Sequence, residues 1–112
     1  MKAFKNYFKF PLTDLSGIYI MTADGWNIFN WCCELSDKTR QEIIDKINGT
    51  LNKKSEKEWT VKNDKIYYDD KLVLLVRGWG MLTGNGGCGF TEKTALILQN
   101  DLIKYVVEQL NR

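Results

Sequence analysis

The chain has 112 residues, is 44% apolar and 27% charged, and carries a formal net charge of +2. That length fits one domain burying about two-thirds of its unfolded surface, and the composition excludes a disordered chain. No apolar run reaches membrane-spanning length, and so small a charge argues by itself for neither nucleic acid nor a membrane.

The opening stretch MKAFKNYFKF interleaves lysines with aromatics and lacks the continuous apolar core of a signal peptide, so a cytoplasmic location is expected. With no export signal, an odd set of cysteines (Cys32, Cys33, Cys88) reads as free thiols. The chain contains no histidine, which removes Ser-His-Asp and Cys-His catalysis. It also has no C-x-x-C spacing, so no metal and no cofactor are expected. Any enzyme here would draw on Asp, Glu, Lys, Tyr or Cys, and the balance leans away from one.

In chain order, residues 1–12 form a basic-aromatic arm, with Lys2, Lys5 and Lys9 among Phe4, Tyr7, Phe8 and Phe10. Pro11 stops any helix there, so an irregular or extended arm is predicted. The arm could stack bases, but the weak charge favours aromatics packed inward, and nucleic acid is not an expected partner. Residues 17–22 and 26–32 read as a hairpin turning at Ala23-Asp24-Gly25, with positive φ expected at both turn positions. Ser36 and Asp37 open a helix carrying Ile43, Ile44, Ile47 and Leu51, which Gly49 closes.

Residues 52–58 form a mixed charge run that reads as a solvated loop, a docking patch being the functional alternative. Strands follow at 59–62, 65–69 and 71–77, with turns at Asn63-Asp64 and Asp69-Asp70. Adjacent carboxylates there are turn chemistry rather than an acid pair. The unbroken run Leu72–Val76 predicts a central strand covered on both faces. Thr91 caps a last helix of about five turns. Its apolar stripe is Ala95, Leu98, Leu102, Val106 and Gln109, with Leu96, Ile103, Val107 and Leu110 beside it. The predicted order is ββαβββα without a repeat, linker or second domain. This is an α+β fold over residues 1–112: an antiparallel sheet of about five strands with two helices on one face.

The segment Arg77-Gly78-Trp79-Gly80-Met81-Leu82-Thr83-Gly84-Asn85-Gly86-Gly87-Cys88-Gly89-Phe90 carries the most distinctive pattern. Gly84, Gly86 and Gly89 match G-x-G-x-x-G between a strand and a helix. The chain then ends without the second parallel strand and ribose-binding acid of a dinucleotide fold. The phosphate-loop pattern fails too, because Phe90 stands where Lys is required. What survives is an anion pocket of backbone amides at a helix N-terminus, with Arg77, Gly84, Gly86, Gly87, Gly89, Thr91 and Lys93 as its candidate residues. The competing reading is a structural joint, with Trp79, Met81 and Leu82 plugging the core. Cys88 reads as an inert small residue, since no histidine activates it.

The motif Arg-Gly-Trp-Gly-x-Leu-Thr-Gly, with the glycine turn after it and a helix bearing Ala95, Gln99 and Leu102, resembles small proteins of bacterial phages and mobile elements over residues 77–110. The resemblance implies a bacterial or phage cytoplasmic setting and carries no activity to transfer. The expected function is therefore a non-enzymatic binding or interaction module. It would act on a protein partner, or as a homo-oligomer, through an aromatic sheet face drawn from Trp26, Trp31, Trp59 or Tyr67. The alternative is a small anion-binding protein or enzyme built on the Gly84–Phe90 loop.

Overall fold

The computed structural model describes residues 8–77 and 91–112. Among the described residues there are six strands and two helices: β1 (Thr13–Leu15), β2 (Tyr19–Met21), β3 (Asn27–Trp31), α1 (Asp37–Asn48), β4 (Trp59–Lys62), β5 (Lys65–Tyr68), β6 (Lys71–Val76) and α2 (Glu92–Leu110). The strands make one sheet in the order β1-β2-β3-β6-β5-β4, every neighbour antiparallel. This is the expected α+β class with one strand more than expected. The addition is β1, so the order of the described elements is βββαβββα. Its three residues are too short to show a period, which is why the sequence gives no sign of it.

The turns follow from residue chemistry. Asp69 and Asp70 both take positive φ (50° and 66°), as a two-residue hairpin of the I′ type needs and as Asp tolerates. The β2–β3 loop departs from expectation: of Ala23, Asp24 and Gly25, only Gly25 has positive φ, at 93°. The Gly25 N–H donates to the Thr22 carbonyl (3.1 Å) and the Thr22 N–H to the Trp26 carbonyl (2.9 Å). That is a three-residue hairpin ending in a left-handed glycine.

Directly paired residues share a face, so Asp14, Ile20, Phe29, Trp31, Leu74, Val76, Ile66, Tyr68, Trp59 and Val61 point the same way. Both helices lie there, since Arg40 of α1 reaches Asp14 and Ile103 and Val107 of α2 flank Val61. Ile20, Phe29, Ile66 and Leu74, all wholly buried, form the core with Ile44 and Ile47 of α1 and Leu102, Val106 and Leu110 of α2. β6 is central, as expected. Its lack of alternation comes from a bulge between β5 and β6, which sets Val73 and Leu74 side by side in the core. Leu72 and Leu75 are only half-buried. On α2, Leu96 belongs outside the stripe, at 47% exposure.

The sheet also repeats itself. Strands β1-β2-β3 followed by α1, and β4-β5-β6 followed by α2, are two βββα units related by a pseudo-twofold axis through the Asn30–Leu75 pair. The ladder maps onto itself: Ile20 pairs with Phe29 as Ile66 pairs with Leu74, and Phe29–Val76 exchanges with Leu74–Trp31. A bulge falls after Ile20 in one unit and after Ile66 in the other. The Cys32 N–H donates to the Val73 carbonyl (2.8 Å) as the Arg77 N–H does to the Ile28 carbonyl (2.7 Å).

Each helix opens on the same cap. The Thr39 N–H donates to Ser36 Oγ at 3.1 Å and the Thr94 N–H to Thr91 Oγ1 at 3.3 Å. Each ends on an asparagine that grips an edge. Asn48 exchanges two hydrogen bonds with the Leu12 backbone (2.7 and 2.8 Å), and Asn111 does the same with Trp59 (2.8 and 2.9 Å). The expectation of no repeat is thereby corrected. The strand–helix link and the helix are longer in the second unit, so no single period relates the halves.

Candidate functional site

Of the residues expected to bind an anion, Arg77, Thr91 and Lys93 are exposed, while Gly84, Gly86, Gly87 and Gly89 lie outside the described residues, as does Cys88. The Thr91 hydroxyl is committed to its helix, contacting both Thr94 N (3.3 Å) and Thr94 Oγ1 (3.1 Å). Two of the aromatics expected on an open sheet face are on the helix side instead. Trp59 is 5% exposed in the core, and Trp31 packs against the core with its indole N–H on Asp14 Oδ1 (2.9 Å). The described cysteines are free, Cys32 exposed and Cys33 half-buried. Burial, then the neighbouring Cys33, pushes the Cys32 thiol above its ordinary value. Among the described residues no cluster of Cys, Asp or Glu could hold a metal ion, and no described helix is long and apolar enough to cross a membrane.

The described residues do build a cleft of about 350 Å³ between α1, the segment 51–56 and the ends of β4, β5 and β6. Leu35, Ile43, Leu51, Trp59 and Tyr68 make its apolar lining, and the Trp59 and Tyr68 rings stand 4.8 Å apart, tilted at 44°. Lys46, Lys53, Lys54 and Lys71 ring it, against two carboxylates, Glu42 and Glu56. Such a volume is at the lower end of what small-ligand sites show, and apolar walls with a few placed charges are their usual makeup.

Lys46 is the unusual member. Three residues after Ile43, it falls on the apolar face of α1 and is only 8% exposed. Its Nζ donates to the Leu110 carbonyl at the end of α2 (2.6 Å) and to Ser55 Oγ. A cation suits a helix C-terminus, where unpaired carbonyls gather negative potential. Ser55 Oγ also meets the Leu110 carbonyl (2.9 Å) and accepts the Trp59 indole N–H (3.2 Å). Among the described residues its acceptors are neutral, and burial, then Lys54 and Lys53, hold its pKa below the lysine value. Lys53 approaches Glu42 at 3.8 Å on the surface, a contact worth little. The rim thus keeps a net positive charge. The run 52–58, read in the sequence as a solvated loop, supplies one wall of this cleft. Lys46 and Tyr68 were missed in the sequence; a lysine at core spacing on an amphipathic helix was the available signal.

At the opposite corner the sheet meets α1 through charge. Asp14 Oδ2 accepts Arg40 Nε (2.9 Å), while Oδ1 accepts the Trp31 indole and the Gly17 N–H (2.9 and 3.1 Å). Arg40 also donates to the Leu35 carbonyl (2.5 Å) and to Asp37. Burial would raise the Asp14 pKa, but the bonds from Arg40, Trp31 and Gly17 outweigh it and hold the carboxyl below its ordinary value. In turn Asp14 raises the Arg40 pKa. With both Asp14 oxygens bonded and Arg40 held by Asp14, Leu35 and Asp37, this corner is a structural pin. Its pseudo-equivalent pairs Val61 with Ile103, leaving an open apolar groove along α2.

The two-layer α+β sandwich with a lysine-ringed cleft defines the class of this protein by its architecture. Compared with family models, curated proteins and solved structures, the chain matches none.

Proposed function

We propose that the chain is a non-enzymatic binding module, of the phage or mobile-element type that its Arg77–Gly84 motif resembles, and that it receives an acidic partner in the cleft between α1 and β4–β6. One observation carries this reading: an aromatic wall of Trp59 and Tyr68 stands inside a ring of four lysines opposed by two glutamates. The apolar wall supplies contact area, and the lysines supply attraction and orientation. Lys46 is spent on the Leu110 carbonyl and Ser55, so its ammonium serves as a fixed charge rather than as a nucleophile.

The test is an amide-resolved NMR titration with an aspartate- and glutamate-rich peptide. Shifts should gather at Thr39, Ile43, Ser55, Trp59, Tyr68 and Lys71, and weaken steeply with added salt. The double variant Lys53→Glu/Lys71→Glu should remove them while its unfolding midpoint stays close to wild type, both lysines being exposed. Shifts confined to Arg77, Thr91 and Lys93 would instead favour the anion reading of the glycine segment, and shifts at neither place would end the proposal.

A further inference from the structure

The two βββα units differ at this cleft, and the difference bears on what fills it. In each unit the chain entering the edge strand runs past the far turn of its own hairpin. The Ala23 N–H donates to the Lys9 carbonyl (2.8 Å) in the first unit, and the Asp69 N–H to the Glu58 carbonyl (3.2 Å) in the second. In the first unit that entering segment delivers aromatics to the helix layer. Phe8 is 1% exposed, and Phe10 sets its ring edge-on to Tyr105 of α2, 5.8 Å between centroids and 83° between planes. With the two edge-gripping asparagines superposed, Tyr105 of α2 corresponds to Glu42 of α1, and Glu42 lines the cleft. The entering segment of the second unit reads Ser55-Glu56-Lys57. That segment carries no aromatic, and the space beside Trp59 and Tyr68 is the cleft.

From this asymmetry we infer that the cleft takes an aromatic side chain carried on an acidic peptide segment of a partner protein; the inference rests on the cleft being the binding site. The aromatic does in the second unit what Phe10 does in the first, meeting rings edge-on or tilted at the spacing aromatic pairs prefer. The acidic flanks match Lys53, Lys54 and Lys71, which are exposed at the rim. Charge also argues against the N-terminal arm of a second copy as the occupant. That aromatic-rich arm, MKAFKNYFKF, is basic, and like charges across a rim repel.

The experiment compares three peptides by calorimetry and amide NMR on the full chain: Asp-Glu-Asp-Phe-Glu-Asp-Glu, the same peptide with Ala for Phe, and the Phe peptide with Lys at every flank. The acidic Phe peptide should bind about 10- to 100-fold more tightly than its Ala counterpart, the range that burying one large apolar side chain gives. It should shift the Trp59 indole N–H, and the Lys-flanked peptide should not bind. Lys53→Glu/Lys71→Glu should weaken the acidic Phe peptide about tenfold or more, since both lysines stand exposed at the rim. Equal binding of the Phe and Ala peptides with shifts at the cleft would overturn the aromatic inference and leave the binding-module reading standing. Absence of cleft shifts with both acidic peptides would overturn both. A dimer in solution whose interface shifts the cleft amides would overturn the inference in favour of a second copy.

Discussion

The side-chain amide of Asn111 holds the backbone of Trp59 from both sides, accepting the Trp59 N–H at 2.8 Å and donating to the Trp59 carbonyl at 2.9 Å. Those are the two bonds that a seventh strand would make, and β4 is an edge. The helix C-terminus thus closes a strand edge that would otherwise pair with another chain. Asn111→Ala should cost about 1–3 kcal/mol in urea unfolding, two hydrogen bonds being lost and two backbone groups left open. Asn111→Asp should cost less, because it still accepts the Trp59 N–H. Asn48→Ala should do the same at Leu12 on the other edge. Concentration-dependent association by light scattering is expected for the double alanine variant above all.

Gly17 lies where the chain turns under Arg40. Its φ is 71°, and an added Cβ would stand 3.0 Å from the guanidinium carbon. Gly17→Ala should therefore destabilise by about 1 kcal/mol or more from backbone strain alone, and by more if Arg40 is pushed off Asp14. A lowered unfolding midpoint with an unchanged denaturant slope would show it.

Asp14 sets an acid limit. Its folded-state pKa lies below the ordinary 3.8, so its contribution to stability is full above that value and is lost as pH falls through the folded-state value. Asp14→Asn should lack this dependence, and stability curves of the two proteins should converge as pH drops below about 4. At neutral pH, Asp14→Ala should cost about 2–4 kcal/mol, since Arg40 and the Trp31 indole lose a half-buried charged partner.

Lys46 works in the opposite range. Its folded-state pKa is depressed below 10.5 by burial and by Lys54 and Lys53. The charged form is therefore a cost at neutral pH, and that cost is relieved as pH rises through the folded-state value toward 10.5. Measured against Lys46→Met, wild-type stability should increase with pH across that alkaline window. A difference that stays flat or falls would contradict the assignment.

Much of the architecture was legible because it is local. Ser36 and Thr91 announce helices by their capping chemistry, Gly49 ends one, and Asp69-Asp70 marks a turn that only small polar residues enter comfortably. The repeat was also written in the sequence, as Ser36-Asp37-Lys38-Thr39 against Thr91-Glu92-Lys93-Thr94 and Ile43-Ile44-Asp45-Lys46-Ile47-Asn48 against Val106-Val107-Glu108-Gln109-Leu110-Asn111. The two motifs share no single offset, because the longer link and helix of the second unit shift the spacing between matching residues along the chain. The cleft was not legible. Lys46, Ser55, Trp59 and Tyr68 belong to four separate segments, and no local pattern brings them together.

By itself, then, the amino-acid sequence determined the helices, the tight turns and the α+β class, because hydrophobic period and capping act over a few residues. Only the tertiary structure decided that two βββα units share one sheet, that Trp31 and Trp59 face the helices, and that the charge run 52–58 walls a cleft. Those outcomes depend on strand register and on how helix ends meet sheet edges, which are long-range choices settled by burial of the core as a whole.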